Sequence, residues 1–131
     1  MMLQEELSLM IALDPYIKIR DEYFANAEMF AGKGEYRKAS ELLWGAIAQT
    51  IKALAIKRGL IIENHRQFFD YMRGLAKETR DVELYKTFLF LNDLHKNFYD
   101  EKIRPEDFNI YLKEAYQFIV KLNTIMEKVP S

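Results

Sequence analysis

Histidine is the side chain used most often as a general acid or base near neutral pH, and this chain of 131 residues contains two, His65 and His95. They stand thirty positions apart, outside the H-x-x-x-H and H-E-x-x-H spacings of histidine metal sites. The chain has no cysteine, which excludes thiolate nucleophiles and cysteine zinc ligands, and no glycine-rich phosphate loop. The sequence therefore predicts neither a metal nor a cofactor.

His95 lies in the segment FLNDLHKNFYDEKIRPEDF, which joins aromatic, amide and acidic residues. At about 100° per residue, His95 falls within the apolar arc of its helix. The residues that define or flank this arc are Leu84, Phe88, Leu91, Phe98, Tyr85, Asn92 and Tyr99. One interpretation is a half-buried imidazole bonded to a carbonyl or to Tyr99. The other interpretation places His95 at a groove or subunit interface.

The remaining polar residues indicate ordinary surface. We interpret His65, beside Arg66 at a helix start, as a capping or surface residue. A loose group of basic residues is interrupted by acidic ones, which is typical of a solvated mixed surface. The basic residues are Lys52, Lys57, Arg58, Arg66 and Arg73, and the acidic ones are Glu63, Asp70 and Glu78. A net charge of −1 predicts no overall attraction to nucleic acid or to an anionic membrane.

No segment is typical of a membrane protein. The longest uncharged run, Leu42 to Ile51, has ten residues, about half of what a membrane helix requires. The amino-terminal residues MMLQEELSLMIAL lack the basic start and the small-residue cleavage site of a signal peptide. We expect a cytoplasmic protein that has no contact with a membrane.

The pattern of apolar residues predicts an all-α protein. Helices are predicted near 3–12, 15–32, 35–58, 65–78, 82–101 and 105–129, with Asp14-Pro15 opening the second and Asn64 with Gln67 forming a capping box. The last helix carries a heptad-like stripe of Phe108, Leu112, Ala115, Ile119, Leu122, Met126 and Val129. We expect an antiparallel helical bundle of about five to six helices. It forms one domain over residues 1–131, in which residues 1–13 are a helical extension.

Two motifs in order resemble the HEPN superfamily of helical domains, and in particular its archaeal PaREP-like branch. The first lies in GEYRKASELLWGAIAQTIKALA, followed by RGLIIENHRQFFDYM, and the second is LHKNFYDE. The matching residues are Gly34, Ala39, Ser40, Glu41 and Trp44 in the first motif, and Leu94, His95, Asn97, Phe98 and Tyr99 in the second. The resemblance covers roughly residues 16–122. A tetratricopeptide-like adaptor also reads like the first motif, but no second copy of that repeat is present.

This resemblance implies a bundle that commonly forms dimers and whose catalytic members are metal-independent ribonucleases. In those members an arginine precedes the histidine by a short helical step, but here the corresponding positions hold Phe88, Leu89 and Phe90. Arg58 and His65 have a similar spacing, but they straddle the turn at Gly59. The sequence therefore favours a non-catalytic interaction protein that acts through self-association or a partner, in a nucleic-acid-related or toxin–antitoxin-type system. The alternative that the resemblance implies is a ribonuclease that uses His95, with Asn92, Tyr99 or a basic residue from another helix in place of the arginine. Some HEPN proteins pair with a small nucleotidyltransferase, so that partner and RNA both remain open.

A surplus of aromatic side chains on the helix of His95 predicts a homodimer with His95 in or beside a groove. The residues expected at this interface or groove are Tyr85, Phe88, Asn97 and Phe98, with Phe90 and Tyr99 on the same helix. The competing explanation is that the amino-terminal helix covers this face within one chain, through Leu3, Leu7, Met10 and Ile11.

Overall fold

The residues that the structure describes fold into five α-helices and one short 3-10 turn. The structure is a computed structural model that describes residues 4–100 and 103–129, with side chains described except for 5–12 and 98–100. Its elements are α1 (Gln4–Gly32), α2 (Tyr36–Lys57), α3 (His65–Thr79), α4 (Val82–Asp100), the 3-10 turn Pro105–Asp107 and α5 (Phe108–Lys128). The described residues contain no β-strand. The prediction of an all-α helical bundle is confirmed.

The first predicted helix boundary is wrong, because α1 runs without a break through Pro15. A proline inside a helix removes one backbone hydrogen bond and costs about 3 kcal/mol or more when it is not accommodated. Asp14 and Pro15 are both exposed, so water can hydrate the backbone near the lost bond. The predicted helices 3–12 and 15–32 are therefore one helix over the described residues.

Side-chain caps begin two of the helices, and the predicted capping box of Asn64 and Gln67 is one of them. At the start of α3, Asn64 Oδ1 accepts a hydrogen bond from the backbone N–H of Gln67 at 3.0 Å, and Gln67 Oε1 accepts one from the N–H of Asn64 at 3.2 Å. The carboxylate of Asp81 accepts a hydrogen bond from the N–H of Leu84 at the start of α4. These bonds satisfy backbone donors that have no partner within their own helix.

Helix α2 lies at the centre of the bundle and packs against α1, α4 and α5, while α3 packs mainly against α4. Tyr23 of α1 faces Gly45 of α2, at equal distances along the chain from Gly34, so these two helices run antiparallel. The predicted apolar residues of α4 and α5 are buried, namely Leu84, Phe88, Leu91, Phe108, Ala115, Ile119, Leu122 and Met126. Among the described residues, no helix combines the length and the apolar character needed to cross a membrane.

Candidate functional site

Four side chains from three helices meet on one side of the bundle and form what we call the histidine cluster: Glu41, Trp44, His65 and His95. The Nδ1 atom of His95 lies 3.2 Å from Oε2 of Glu41. The ring centroid of His95 is 5.6 Å from that of His65 and 5.9 Å from that of Trp44. The indole of Trp44 also contacts His65, at 6.3 Å between centroids.

Each helix places its contribution by a simple feature of the sequence. Glu41 and Trp44 stand three residues apart on α2, so their side chains share one face of that helix. His65 is the first residue of α3, directly after the Asn64 cap that fixes where α3 begins. His95 lies near the carboxyl end of α4 and points towards α2. The cluster thus depends on the packing of α3 and α4 against α2.

Aromatic rings form the wall behind the cluster. The ring of Phe88, which is fully buried, lies 5.8 Å from Trp44 and 5.1 Å from Phe69. Phe69 in turn meets His65 edge to face at 5.2 Å. Such contacts favour a defined ring orientation, so the wall restricts how His65 and Trp44 can turn.

The cluster is accessible from the surface. The side chain of His95 is 32% exposed and that of Glu41 is 37% exposed, which leaves both within reach of solvent and of a ligand. When Nδ1 of His95 donates its proton to Glu41, the lone pair of the neutral ring lies on Nε2. A carboxylate that orients one imidazole beside a second imidazole is an arrangement suited to general acid–base chemistry.

The two motifs on which the HEPN resemblance rests face each other across the α2–α4 contact. Glu41 and Trp44 of the first motif contact His95 of the second. Beside them in the sequence, the side-chain amide of Asn97 donates a hydrogen bond of 2.9 Å to the hydroxyl of Ser40. Their co-occurrence in the sequence therefore has a physical basis, since each supplies one side of the same contact.

Two of the predicted interface residues prove to be internal. Phe88 has no exposed surface, so it belongs to the core and has no atom available to a partner of the folded chain. Asn97 is 1% exposed, and its side-chain oxygen accepts a hydrogen bond from the N–H of Ile103, which ties the segment before α5 to α4. Their predicted interface roles do not fit these positions. Asn97 is a structural residue that also borders a surface cavity.

The other predicted site residues are placed as follows. Asn92 is largely buried one turn before His95, and its side-chain oxygen is buried without a hydrogen-bond partner. Tyr85 is half-buried on α4, and its hydroxyl accepts a hydrogen bond of 3.1 Å from Arg73. The side chains of Phe98 and Tyr99 lie outside the described residues, as do those of Leu7, Met10 and Ile11 and the whole of Leu3.

The contacts described for Arg58 lie outside the histidine cluster. Its guanidinium forms an ion pair with Glu78 of α3, on the side of that helix away from Arg73. The hydrogen bond between them raises the pKa of Arg58 and lowers the pKa of Glu78. The partner of Arg58 is therefore Glu78 of α3, although its spacing in the sequence resembles that of the family motif with His65.

The sequence interpretation missed three residues of the cluster: it placed His65 on the surface and named Glu41 and Trp44 only as matches to the family motif. The position of His65 after a capping residue is explained by helix geometry alone, and the cluster partners are remote in the sequence. The only local signal is the spacing of His65 and Phe69, which puts two rings on one face of α3. Among the described residues, no group of three His, Cys, Asp or Glu side chains is arranged to hold a metal ion.

The fold and the cluster define the chain as an all-α bundle protein with an accessible carboxylate–imidazole site between α2, α3 and α4. The model of the archaeal PaREP1/PaREP8 family matches residues 15–119, which is more than half of the chain, and the protein belongs to this family. No curated protein matches the chain.

Proposed function

We propose that the protein is a HEPN-like ribonuclease that cleaves RNA without a metal, with the histidine cluster as its acid–base site. The observation that carries this proposal is the approach of His65 to His95, at 5.6 Å between ring centroids, beside the carboxylate of Glu41. His65 supplies the second titratable group that a two-proton reaction needs. The sequence favoured a non-catalytic role because the arginine that precedes the histidine in catalytic HEPN members is absent.

RNA carries its own nucleophile, and this determines what the two imidazoles do. One imidazole accepts the proton of the 2′-hydroxyl while that oxygen attacks the adjacent phosphorus. The other donates a proton to the departing 5′-oxygen as the P–O5′ bond breaks. The products are a 2′,3′-cyclic phosphate and a 5′-hydroxyl end. Arg66, next to His65 and 91% exposed, is the cation that lies closest in the sequence to offset the phosphate charge.

The test is cleavage of an end-labelled single-stranded RNA by purified protein in the presence of a chelator. Wild type should release fragments with 2′,3′-cyclic phosphate ends, and the same sequence in DNA should stay intact because it lacks the 2′-hydroxyl. His65→Ala and His95→Ala should each slow cleavage by about 10²–10⁴-fold. Trp44 fluorescence and circular dichroism show whether each variant is folded. Inactive wild-type protein, or cleavage that survives both substitutions, would remove the proposal.

A second candidate function is a non-catalytic protein that acts by self-association, as the sequence favours. Its supporting observation is an apolar surface on the outer sides of α4 and α5. The ring of Phe90 stacks on Tyr111 at 4.2 Å with an angle of 6° between planes, and Leu89 and Ile110 beside them are exposed. Apolar side chains on adjacent helices are typical of a protein contact.

Sedimentation equilibrium at micromolar concentration tests this homodimer. Wild type should have a dimeric mass, and Leu89→Glu with Ile110→Glu should give monomers because two buried charges would oppose association. Val120→Glu is the matched control, since Val120 is an exposed apolar residue on the side of α5 that faces α1. A monomeric wild type, or a control that dissociates equally, speaks against this surface.

A further inference from the structure

Helix α3 presents a row of cations to solvent, which we call the basic stripe: Arg66, Arg73, Lys77 and Arg80. Their spacings of seven, four and three residues place them on one side of the helix. All four are exposed. At 1.5 Å per residue, the stripe is about 21 Å long and begins next to His65 of the histidine cluster.

The fold pairs the acids near this side of α3 with cations. Glu78 lies on another face and is paired with Arg58, and Asp81 is paired with Lys121 of α5. Asp70 shares the side of the stripe, where its carboxylate is 4.0 Å from Arg66. The four cations, the carboxylates of Asp70 and Asp81, and Lys121 that pairs with Asp81 leave a local charge of about +3 on this side, although the whole chain has a net charge of −1.

The far half of the stripe surrounds a surface cavity of about 670 Å³. Arg73, Lys77 and Arg80 line it together with Val82 and Tyr85, and the acidic residues Asp70 and Asp81 line it as well. The guanidinium of Arg73 lies 5.3 Å from the ring centroid of Tyr85 and donates to its hydroxyl. Planar guanidinium and aromatic groups beside cations are the elements that bind the bases and phosphates of a single strand.

The backbone conformation of Arg80 is a second observation at this cavity. Arg80 ends α3 with φ of 56° and ψ of 40°, the left-handed conformation. Glycine is favoured there, and a residue with a side chain costs about 1–2 kcal/mol. A strained residue that carries a charge into a cavity is a reason to look for a ligand.

We infer that the basic stripe is a binding surface for single-stranded RNA and leads the strand along α3 to the histidine cluster. This inference rests on the proposed function for its choice of polymer, but it concerns binding and not cleavage. A membrane is the weaker partner, because a basic surface that binds lipid also needs a face of large apolar side chains. Of the exposed large aliphatic side chains on the described residues, Val82 is the one that lines this cavity.

The experiment measures the anisotropy of a fluorescein-labelled 2′-O-methyl RNA strand, which lacks the attacking hydroxyl and is not cleaved. Wild type should bind with an affinity that falls steeply with salt. Arg73→Gln with Lys77→Gln and Arg80→Gln should weaken binding about a hundredfold at 0.1 M salt and reduce the logarithmic salt slope by about 2, since each phosphate contact contributes about 0.7. Arg73→Lys, which keeps the charge, should retain most of the affinity.

The matched control removes three exposed lysines from other helices, Lys18, Lys113 and Lys128, by substitution with glutamine. It changes the net charge equally and should leave the salt slope unchanged. A wild type that does not bind, or equal losses in both triple variants, would overturn the inference. So would stripe-dependent binding to phosphatidylserine vesicles without binding to RNA.

The binding and cleavage measurements together distinguish the RNA-binding surface from the proposed ribonuclease activity. If the wild type binds RNA through the stripe but does not cleave natural RNA, the binding surface is supported and the ribonuclease proposal is contradicted. If the protein cleaves RNA but its RNA affinity is unchanged by the stripe substitutions, the ribonuclease proposal is supported and the binding surface is contradicted.

Discussion

His65 and His95, thirty positions apart in the chain, lie with their ring centroids 5.6 Å apart because α3 packs against α4. Trp44 of α2 contacts both rings, and Glu41 holds Nδ1 of His95. In the proposed reaction the two imidazoles transfer the protons, and the Glu41 carboxylate does not. It acts on the orientation of His95 and is a positioning residue.

Glu41→Gln should therefore lower kcat for RNA cleavage by roughly tenfold or more and leave KM almost unchanged. The loss should be smaller than removal of the imidazole, which takes away a contribution of about 10²–10⁴-fold. Steady-state kinetics on a short RNA measure both constants. Glu22→Gln on the exposed side of α1 is the control. A change in KM alone would assign Glu41 to substrate binding instead.

Asn97→Ala should destabilise the protein by about 2–4 kcal/mol. The substitution leaves the buried Ser40 hydroxyl and the Ile103 N–H without their partner, and each buried group left unpaired costs about 1–3 kcal/mol. Urea unfolding followed by Trp44 fluorescence measures the difference. The exposed Asn26→Ala should stay within about 0.5 kcal/mol of wild type. Equal stability of both variants would show that the buried bonds contribute nothing.

Two glycine substitutions should have opposite signs. A Cβ atom at Gly45 would lie 2.7 Å from the Tyr23 ring, so Gly45→Ala should cost about 1–3 kcal/mol from overpacking between α1 and α2. At Gly74 a Cβ meets nothing within 4 Å, so Gly74→Ala should stabilise α3 by up to about 1 kcal/mol. Thermal unfolding of the two variants decides the matter. A stabilised Gly45→Ala would mean that α1 and α2 are less closely packed than described.

Arg80→Gly should raise the free energy of unfolding by up to about 1 kcal/mol, because glycine adopts the left-handed conformation without strain. Part of the gain is offset, since glycine also has more freedom in the unfolded chain. Arg80→Ala keeps the strain and should give no such gain. If alanine stabilises as much as glycine, the relief comes from the lost side chain and not from the backbone.

The ion pair of Asp81 with Lys121 should make stability depend on pH on the acid side. The hydrogen bond from Lys121 is the main reason why the pKa of Asp81 is lowered. A lowered folded-state pKa adds stability above the unfolded value of about 3.9, and this stability disappears as the pH falls through the folded value.

Asp81→Asn should therefore be less stable than wild type at pH 6, by no more than about 1 kcal/mol for a surface pair, and the gap should close below about pH 4. Asp81→Ala should cost about 1 kcal/mol more at both pH values, because it also removes the cap on the Leu84 N–H. Urea unfolding at the two pH values checks both expectations. A gap between wild type and Asp81→Asn that does not change with pH would exclude the ion pair as its source.

The amino-acid sequence by itself determines the helices of this protein. Apolar residues three and four positions apart predict the buried faces of α4 and α5, and Asn64 with Gln67 predicts the start of α3. These signals are local, because a helix forms and is capped through residues within one turn of each other. Pro15 is an exception, since the same dipeptide that opens many helices is tolerated inside α1.

Only the tertiary structure decided which side chains meet. It brought His65 to His95, directed Phe88 and Asn97 into the interior, and separated the cations of α3 from Glu78. Each of these outcomes depends on the angle and register at which one helix packs on another. The physical reason is that helix packing is set by the shapes of whole side-chain surfaces, and no residue or short motif carries that information alone.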